Sequence, residues 1–314
     1  MRVAFLFPGQ GSQFVGMARD LYDGFAVARE VWDAANEILG VDLARIAFDG
    51  PEDELRETRN TQPAIFTHSI AAWRALGFDR REWPDACAAG HSLGEYSAYV
   101  AAGALDFADG LRLVRRRGEL MYQAGLDRPG TMAAVLGLDP DTVKAALSAV
   151  PGIVRAANWN SPGQVVISGE VAAVTAAMDS LKSAGAKRVI PLEVSGAFHS
   201  PLMEAAADGL GRMLKETPVR PSTWPVLTNE SAAAIPAQEA WDQAVRSSLE
   251  RQLLSPVRWE ETVRAMFAAG VEQFYEIGPG KVLSGLVRAV NKEAKVQALG
   301  SREQIDAFSA QGGA

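Results

Sequence analysis

The sequence predicts an α/β protein in which a mostly parallel sheet is interrupted by a small inserted domain. Over the first 124 residues, short apolar runs alternate with longer helical patterns, which is typical of a parallel sheet covered by helices on both faces. Between residues 129 and 194 the order changes to βαββαβ, that of a ferredoxin-like unit. We therefore predict a main domain formed by residues 1–128 and 195–314, and an inserted domain formed by residues 129–194.

The main domain begins as an alternation of strands and helices. The apolar run Val3–Phe7 is predicted as a buried strand because Pro8 and Gly9 end it. A second buried strand is expected at Asp85–Ala89. Apolar residues spaced near 3.6 positions predict helices at Asp20–Leu39, Gln62–Leu76, Leu93–Ala102 and Phe107–Ala124.

The remaining elements follow from turn signals and periodicity. Residues 139–141 form a helix start and residues 160–163 a turn cluster, so they separate the elements of the insert. Its strands are predicted at Thr131–Leu138, Val154–Trp159, Gln164–Ser168 and Ala186–Leu192, and its helices at Thr142–Val150 and Val171–Ala184. After the insert we predict helices at Pro201–Thr217, Trp241–Gln252 and Trp259–Ala269, strands at Val226–Asn229 and Gln273–Ile277, and frayed residues at Ala310–Ala314.

Composition and charge exclude several classes of protein. The 314 residues are 48% hydrophobic and 22% charged, which is ordinary for a globular chain and excludes a disordered or fibrous one. A net charge of -7 argues against a general nucleic-acid-binding surface. The single cysteine, Cys87, excludes an internal disulfide, and with three histidines it argues against a thiolate-built zinc site. No signal peptide or membrane span is visible, so we expect a cytoplasmic protein.

The strongest local signal is the G-x-S-x-G motif at residues 90–94. It follows a predicted buried strand and precedes a predicted helix, which is the context that this motif requires for a nucleophilic serine. Glycines at both ends permit a tight turn that exposes Ser92 at the carboxyl edge of the sheet. The amide of Leu93 and the helix N-terminus would then face a developing oxyanion. An incidental glycine-rich turn is the alternative interpretation.

A serine hydroxyl needs a base, and the sequence offers His68, His91 and His199. His91 adjoins the serine and is expected to pack locally, while His68 lies mid-helix and is expected to be structural. His199 follows a strand and precedes a helix in a loop of small residues, where sites are commonly built, so it is the predicted base. A packing residue at a helix start is the alternative. No acid stands out as its orienting partner, and an α/β-hydrolase would have its histidine nearer the end of the chain.

Four motifs carry a resemblance to one family. They are residues 7–13 (FPGQGSQ), 90–95 (GHSLGE), 196–200 (GAFHS) and 276–280 (EIGPG), in that order. Over about residues 1–295 the sequence is similar to the malonyl-CoA:acyl-carrier-protein transacylases, the loading enzymes of bacterial fatty-acid synthesis. The resemblance implies an α/β-hydrolase-like main domain with a ferredoxin-like insert, in agreement with the order of elements above.

The resemblance implies roles for individual residues. Ser92 would attack the thioester carbonyl of malonyl-CoA and hold the malonyl group as an ester. His199 would be the general base and then the acid that protonates the leaving thiol. Gln10 and Leu93 would supply main-chain N–H groups to the oxyanion hole. Gln252 would orient the histidine through its main-chain carbonyl, which would take the place of the missing acid.

Arg117 and Phe198 would decide which acyl group is accepted. By resemblance Arg117 would clamp the malonyl carboxylate, since a guanidinium can hold a carboxylate through two parallel hydrogen bonds. A substrate without the carboxylate would leave a buried cation unpaired, which can discriminate by ~10⁴. The neighbouring Arg115 and Arg116 are expected to form a solvated basic face. Phe198 would narrow the pocket against a branched group such as methylmalonyl.

The resemblance also implies the partners. No motif in the sequence asks for a metal or an organic cofactor, so we expect neither. The coenzyme A thioester would be a substrate and acyl carrier protein the acceptor, with ping-pong kinetics because both end in a phosphopantetheine arm. An acidic carrier would require a local basic patch, for which Lys187, Arg188, Lys281 and Arg288 are candidates, ordinary surface charge being the alternative. We expect a monomer. The competing hypotheses are a free-standing acyltransferase of a polyketide synthase, a serine thioesterase or other hydrolase, and a non-catalytic carrier-binding module.

Overall fold

The computed structural model describes residues 2–237 and 240–311. The strands are β1 Val3–Phe7, β2 Cys87–Gly90, β3 Gly130–Leu136, β4 Val154–Ser161, β5 Gln164–Glu170, β6 Arg188–Pro191, β7 Val226–Leu227, β8 Gln273–Glu276 and β9 Lys295–Ala298. The helices are α1 Arg19–Gly24, α2 Ala26–Leu39, α3 Leu43–Asp49, α4 Glu52–Arg56, α5 Thr58–Ala75, α6 Gly94–Ala101, α7 Phe107–Asp127, α8 Pro140–Ser148, α9 Val171–Ser183, α10 Glu204–Glu216, α11 Trp241–Gln252, α12 Trp259–Ala268, α13 Val282–Val290 and α14 Arg302–Ala310. Short 3₁₀ turns lie at Phe78–Arg80 and Pro201–Met203.

The main domain is built on a parallel sheet with the strand order β7-β2-β1-β8-β9. Successive side chains of the central strand β1 point to opposite faces, and both faces are buried. Phe5 and Phe7 enter a core formed with α5 and α7, where the Phe5 ring meets Trp73 edge-on at 4.9 Å. Ala4 and Leu6 pack on the other side with residues of α12 and α13. This double burial explains why β1 is an uninterrupted apolar run.

The inserted domain forms an antiparallel sheet with the order β4-β5-β3-β6. Helices α8 and α9 cover one face, where Val135 and Ile167 pack against Val143 and Val174. The other face carries Met132 and Val166, which join the core of the main domain. The chain order β3-α8-β4-β5-α9-β6 is the predicted ferredoxin-like order, so the predicted α/β fold class is confirmed. The exact domain limits stay a prediction.

Several predicted elements have different bounds in the structure. The single helix predicted at Asp20–Leu39 is wrong, because Phe25 adopts an extended conformation (φ -129°, ψ 120°) and separates α1 from α2. The helix predicted from Pro201 begins as a 3₁₀ turn and becomes α-helical only at Glu204. The strand predicted at Val226–Asn229 ends at Leu227, which leaves Asn229 in a loop beside the site.

Other elements were not predicted at all, namely α3, α4, α13, β9 and α14. For α14 the signal was present, since Ser301 and Gln304 form a capping box. Ala310, predicted as frayed, is the last residue of this helix. Residues 312–314 of the same prediction lie outside the described residues.

Candidate active site

Ser92 lies on the tight turn between β2 and α6, at the carboxyl edge of the parallel sheet. Its φ of 52° is left-handed, a strained conformation for a residue with a side chain. The two flanking glycines make this turn possible. A Cβ on Gly90 would lie 1.8 Å from the carbonyl carbon of Gly94, and a Cβ on Gly94 would lie 2.0 Å from the carbonyl oxygen of Phe7. The G-x-S-x-G sequence therefore matches a steric requirement of this turn.

The side chains of Ser92 and His199 meet although they are 107 positions apart in the sequence. The serine Oγ lies 2.8 Å from Nε2 of the imidazole. On the far side of the ring, Nδ1 lies 2.9 Å from the main-chain oxygen of Gln252 and 3.1 Å from that of Ser255. Because carbonyl oxygens only accept hydrogen bonds, Nδ1 carries the proton and Nε2 presents its lone pair to the serine. The Gln252 contact agrees with the geometry expected from the resemblance, whereas Ser255 was not predicted.

Burial keeps this histidine neutral in the free protein. Burial and, as a smaller cause, the positive charge of Arg117 together lower the pKa of His199 to about 3. A neutral imidazole is the form that can accept the serine proton. The unprotonated Nε2 is therefore available at neutral pH.

The guanidinium of Arg117 lies beside the serine hydroxyl and is only 1% exposed. Its Nη2 donates to Ser92 Oγ at 2.9 Å and to Gln252 Oε1 at 3.0 Å, and its Nη1 donates to Gln62 Oε1 at 2.6 Å. Since arginine only donates, the serine oxygen accepts this bond and can direct its own hydrogen to His199. In the described part of the chain, no carboxylate accepts a hydrogen bond from this cation.

Arg117 differs from its two neighbours in the basic run. Arg116 is exposed, as expected. Arg115 is half-buried and donates to Glu119 and to the main-chain oxygen of Arg59, so the expectation of a solvated side chain is wrong for this residue. Only Arg117 reaches the serine.

Gln10 and Leu93, predicted to form an oxyanion hole, both line the cavity that contains Ser92. Neither main-chain N–H donates to an acceptor within residues 2–237 and 240–311, so both are available to a ligand. The side chain of Gln10 is held by Thr58, whose Oγ1 donates to Gln10 Oε1 at 2.8 Å. Thr58 in turn accepts from Nε2 of Gln62 at 2.8 Å, and Oε1 of Gln62 accepts from Arg117. A chain of hydrogen bonds therefore connects Gln10 to the guanidinium.

Sequence reasoning missed a group of buried residues that support the site. Asn229 accepts from the main-chain N–H of Ser92 at 2.6 Å through Oδ1. Glu95, in the first turn of α6, accepts from the main-chain N–H of Asn229 and from the side chain of Gln252, both at 2.8 Å. A signal for Glu95 was available, because it is the only charged residue in a helix that otherwise reads GxYSAYVA.

The site opens into a cavity of about 200 Å³ between the two domains. Phe198, directly before the base, lines it and is 6% exposed. The insert contributes a wall of amide and apolar side chains: Met132, Asn158, Asn160, Gln164, Val166, Leu192 and Val194.

The other two histidines have hydrogen-bond partners other than the serine hydroxyl. Nε2 of His91 lies 2.9 Å from Asn160 Oδ1, and the ring packs against Trp259 at 5.5 Å. His68 is buried, with Nε2 2.7 Å from the main-chain oxygen of Gly300. Both positions agree with the local and structural expectations for these residues.

The four basic candidates for carrier binding differ in their positions relative to the cavity. Lys281 immediately precedes Val282, which lines the cavity. Arg188 and Gln164 both pair with Leu136, so Arg188 lies on the same face of the small sheet as the cavity wall. Lys187 lies just before the first residue of β6, and Arg288 donates to the main-chain oxygen of Val296.

Two further searches bear on ligands and membranes. Among the described residues, no group of three or more histidine, cysteine, aspartate or glutamate side chains is placed to hold a metal ion. None of the described helices combines the length and apolar character that crossing a membrane requires.

Comparisons with known proteins show the family of the chain. The family model described as an acyl transferase domain matches residues 4–311, so the chain is an acyltransferase. A malonyl CoA-acyl carrier protein transacylase of Bacillus subtilis (strain 168) is 46% identical over 308 residues, covering 97% of this chain and 95% of the relative. The protein of the same description from Escherichia coli (strain K12) is 45% identical over 289 residues, covering 91% and 92%. The chain therefore belongs to the malonyl CoA-acyl carrier protein transacylase family.

Solved structures show the same likeness. A malonyl-transacylase in complex with its type II PKS acyl-carrier protein superposes with a TM-score of 0.93 at 41% identity, covering 99% of this chain and 100% of that one. An acyl carrier protein S-malonyltransferase from Vibrio cholerae O1 biovar eltor superposes with a TM-score of 0.91 at 42% identity, covering 98% and 100%. The suspected family and the acyltransferase class are thus confirmed.

Proposed function

We propose that this acyltransferase moves the malonyl group from malonyl-CoA to the phosphopantetheine thiol of an acyl carrier protein, through a malonyl ester on Ser92. The relatives carry this activity in their names, and one neighbour was solved in complex with a carrier protein. The observation that carries the proposal for this chain is the position of Arg117. A buried guanidinium that donates to no carboxylate of the described residues lies 2.9 Å from the serine hydroxyl, where the carboxylate of a short dicarboxylic acyl group could pair with it.

The loading half-reaction follows from the hydrogen bonds of the free site. His199 Nε2 takes the proton of Ser92 as the serine oxygen forms a bond to the thioester carbonyl carbon. The carbonyl π electrons move to oxygen, and the resulting oxyanion accepts from the main-chain N–H groups of Gln10 and Leu93. When the oxyanion collapses, the carbon–sulfur bond breaks and the imidazolium returns its proton to the coenzyme A sulfur.

The unloading half-reaction repeats these steps with the carrier thiol as nucleophile. The thiol gives its proton to His199, its sulfur bonds to the ester carbonyl carbon, and the proton returns to the departing Ser92 oxygen. The carbonyls of Gln252 and Ser255 hold the Nδ1 proton throughout, so the same nitrogen faces the reacting atoms in both halves. No metal or organic cofactor enters either half-reaction of the proposal.

Selectivity would come from charge and from shape. Binding the malonyl carboxylate requires Arg117 to exchange its bond to the serine for two bonds to the carboxylate, while Gln62 and Gln252 keep hold of the guanidinium. The carboxylate also offsets the positive charge that depresses the pKa of His199, so a malonyl substrate strengthens the base that it needs. Phe198 would exclude a branched acyl group from the same space.

The test is to identify the acyl group on the enzyme. Incubation with labelled malonyl-CoA should place label on Ser92, and an added carrier protein should remove it. Ser92→Ala should take up no label, whereas Ser97→Ala, which removes a buried hydroxyl from the helix α6 that follows Ser92, should label normally. Equal labelling of Ser92→Ala would contradict the proposal. Rapid release of free malonate without a carrier would favour the hydrolase hypothesis instead.

The pathway, the location and the oligomeric state form the finer part of the proposal. We place the enzyme in bacterial fatty-acid synthesis, as a cytoplasmic monomer whose one cysteine, Cys87, is a buried thiol. The named alternative is a carrier of a polyketide synthase, since the carrier in one solved complex is of the type II PKS kind. Transfer rates to carriers of both kinds decide the pathway, and sedimentation at several concentrations decides the oligomeric state.

A further inference from the structure

The carboxyl group of Glu95 has no part in the mechanism above, yet it is fully buried three positions after Ser92. A carboxyl group in such a place is costly unless it is bonded, so its partners indicate what it does. One oxygen, Oε2, accepts from the main-chain N–H of Asn229 and from Nε2 of Gln252, each at 2.8 Å. Both partners make further bonds to the reacting residues.

The side chain of Asn229 is bonded to the main chain of the serine turn on both sides of His91. Its Oδ1 accepts from the main-chain N–H of Ser92 at 2.6 Å, and its Nδ2 donates to the main-chain oxygen of Gly90 at 2.7 Å. The orientation of this amide is unambiguous, because an N–H can only donate and a carbonyl oxygen can only accept. Glu95 fixes the main chain of Asn229 and so fixes where the amide sits.

Gln252 holds the base and the guanidinium at once. Arg117 only donates, so the glutamine must turn Oε1 towards it, and Nε2 therefore faces Glu95 and the main-chain oxygen of Ser92 at 3.1 Å. The main-chain oxygen of the same glutamine accepts from His199. A rotation of the Gln252 amide would place an NH₂ group against the guanidinium and leave the buried carboxylate unpaired.

We propose that Glu95 is a positioning residue that holds Asn229 and Gln252 in place. Through these two residues it fixes the serine turn, the base and the guanidinium relative to one another. The proposal rests on the proposed function, because its readouts are the malonyl-loading rate and the preference for malonyl. A displacement of reacting groups by about 1 Å can cost about 100-fold in rate, which sets the expected size of the effect.

The test compares three variants of the intact chain. Glu95→Met removes the acceptor oxygen with a side chain of similar length, Glu95→Gln keeps an oxygen that can take the Oε2 position, and Ser97→Ala is the matched control on the same helix.

Single-turnover loading is measured with malonyl-CoA and acetyl-CoA. Each rate is divided by the fraction of Ser92 that can be acylated, which corrects for any misfolded protein. We expect Glu95→Met to lose about 100-fold in malonyl loading and about tenfold in malonyl-over-acetyl preference. Glu95→Gln should stay within about threefold of the wild type in malonyl loading and in malonyl-over-acetyl preference, since it keeps the acceptor. Ser97→Ala should match the wild type on both measures.

A double variant shows whether Glu95 acts through Gln252. If it does, adding Gln252→Met to Glu95→Met should cost less than the product of the two single losses. The proposal would be overturned if the loss in the double variant equals the product of the two single losses. It would also be overturned if Glu95→Met loses malonyl and acetyl loading equally, or if Glu95→Gln is as slow as Glu95→Met. If Glu95→Met does not fold, Glu95→Asp withdraws the oxygen by one methylene, and wild-type loading and preference in that variant would overturn the proposal too. A wild-type chain that loads no malonyl contradicts the proposed function and not this inference.

Discussion

The two domains contribute to the active site in different ways. In the main domain the reactive groups of Ser92, His199 and Arg117 are connected by buried or partly buried hydrogen bonds of 2.6–3.1 Å. The insert supplies a wall of amide and apolar side chains, and among these Asn160 contacts the serine turn through His91. Two main-chain bonds of 2.8 Å join β4 to Val257, next to the segment that orients the base.

This difference suggests separate roles: the main domain carries out the reaction, and the insert binds the rest of the substrate. The main-domain groups must keep their geometry within a fraction of an ångström, because proton transfer and oxyanion binding depend on it. We propose that the wall meets the arm of coenzyme A or of the carrier, for which amides and apolar surface are a suitable match. Changes in the main domain should therefore affect rate and acyl selectivity, and changes in the wall should mainly affect the Michaelis constant.

The largest effect is expected from the base. His199→Ala leaves Ser92 with no acceptor for its proton, so the loading rate should fall by ~10³ or more. Single-turnover loading with malonyl-CoA measures this directly. His91→Ala is the matched control, because this histidine packs beside the serine without contacting its hydroxyl, and its loss should stay below about tenfold. Comparable losses in the two variants would contradict the assigned base.

The next effect concerns selectivity. Arg117→Ala removes the cation proposed to bind the malonyl carboxylate, so kcat/KM for malonyl-CoA should fall by ~10²–10³. The rate with acetyl-CoA should change by less than about tenfold, because that substrate has no carboxylate to lose. Arg116→Ala, an exposed neighbour, should leave both rates unchanged. An equal loss with both substrates would mean that Arg117 serves the serine and not the carboxylate.

How much of this site the sequence could predict depends on the range of each interaction. The serine turn was predictable because its cause is local: Gly90 and Gly94 permit the left-handed turn, and strand and helix flank it. The bonds from His199 to Gln252 and Ser255 join segments more than 50 positions apart, so no local pattern encodes them. Without a family resemblance, His199 could be chosen only by elimination.

The residues that were missed show the same limit. Asn229 was predicted to end a strand, and only the structure shows that its loop carries the amide that binds Ser92. The fold class was more accessible, because the alternation of elements and the βαββαβ order extend over long stretches of sequence. The single helix predicted at Asp20–Leu39 was wrong because one extended residue, Phe25, interrupts it, although the helical spacing of apolar residues continues past this point.

A third prediction concerns the cost of keeping a carboxyl group inside the main domain. Burial raises the pKa of Glu95 from 4.5 to about 7, so the folded protein binds this proton more tightly than the unfolded chain does. The free energy of unfolding should therefore fall as the pH rises from 4.5 to 7, by about 3 kcal/mol from this group, and stay level above pH 7. Glu95→Gln has no such proton to lose.

Denaturant unfolding at several pH values isolates this contribution. The wild type should lose about 3 kcal/mol relative to Glu95→Gln between pH 4.5 and pH 8. His68 and His199, whose pKa values are lowered to about 4 and about 3, change stability in the opposite sense below pH 6.5, but they are present in both proteins and cancel in the difference. A difference that does not vary with pH would show that Glu95 does not titrate in this range.

The smallest effect is expected from the wall of the insert. Asn160→Ala removes one amide from the cavity and one of the two asparagine partners of His91, so KM for malonyl-CoA should rise by about fivefold to tenfold while kcat changes by less than about threefold. Thr175→Ala, on the outer helix α9, is the matched control and should change neither constant. A large fall in kcat with KM unchanged would show that the wall takes part in positioning the serine turn. The assignment of catalysis to the main domain and of substrate binding to the insert would then be wrong, because the contact between Asn160 and His91 would affect the rate of the reaction at Ser92.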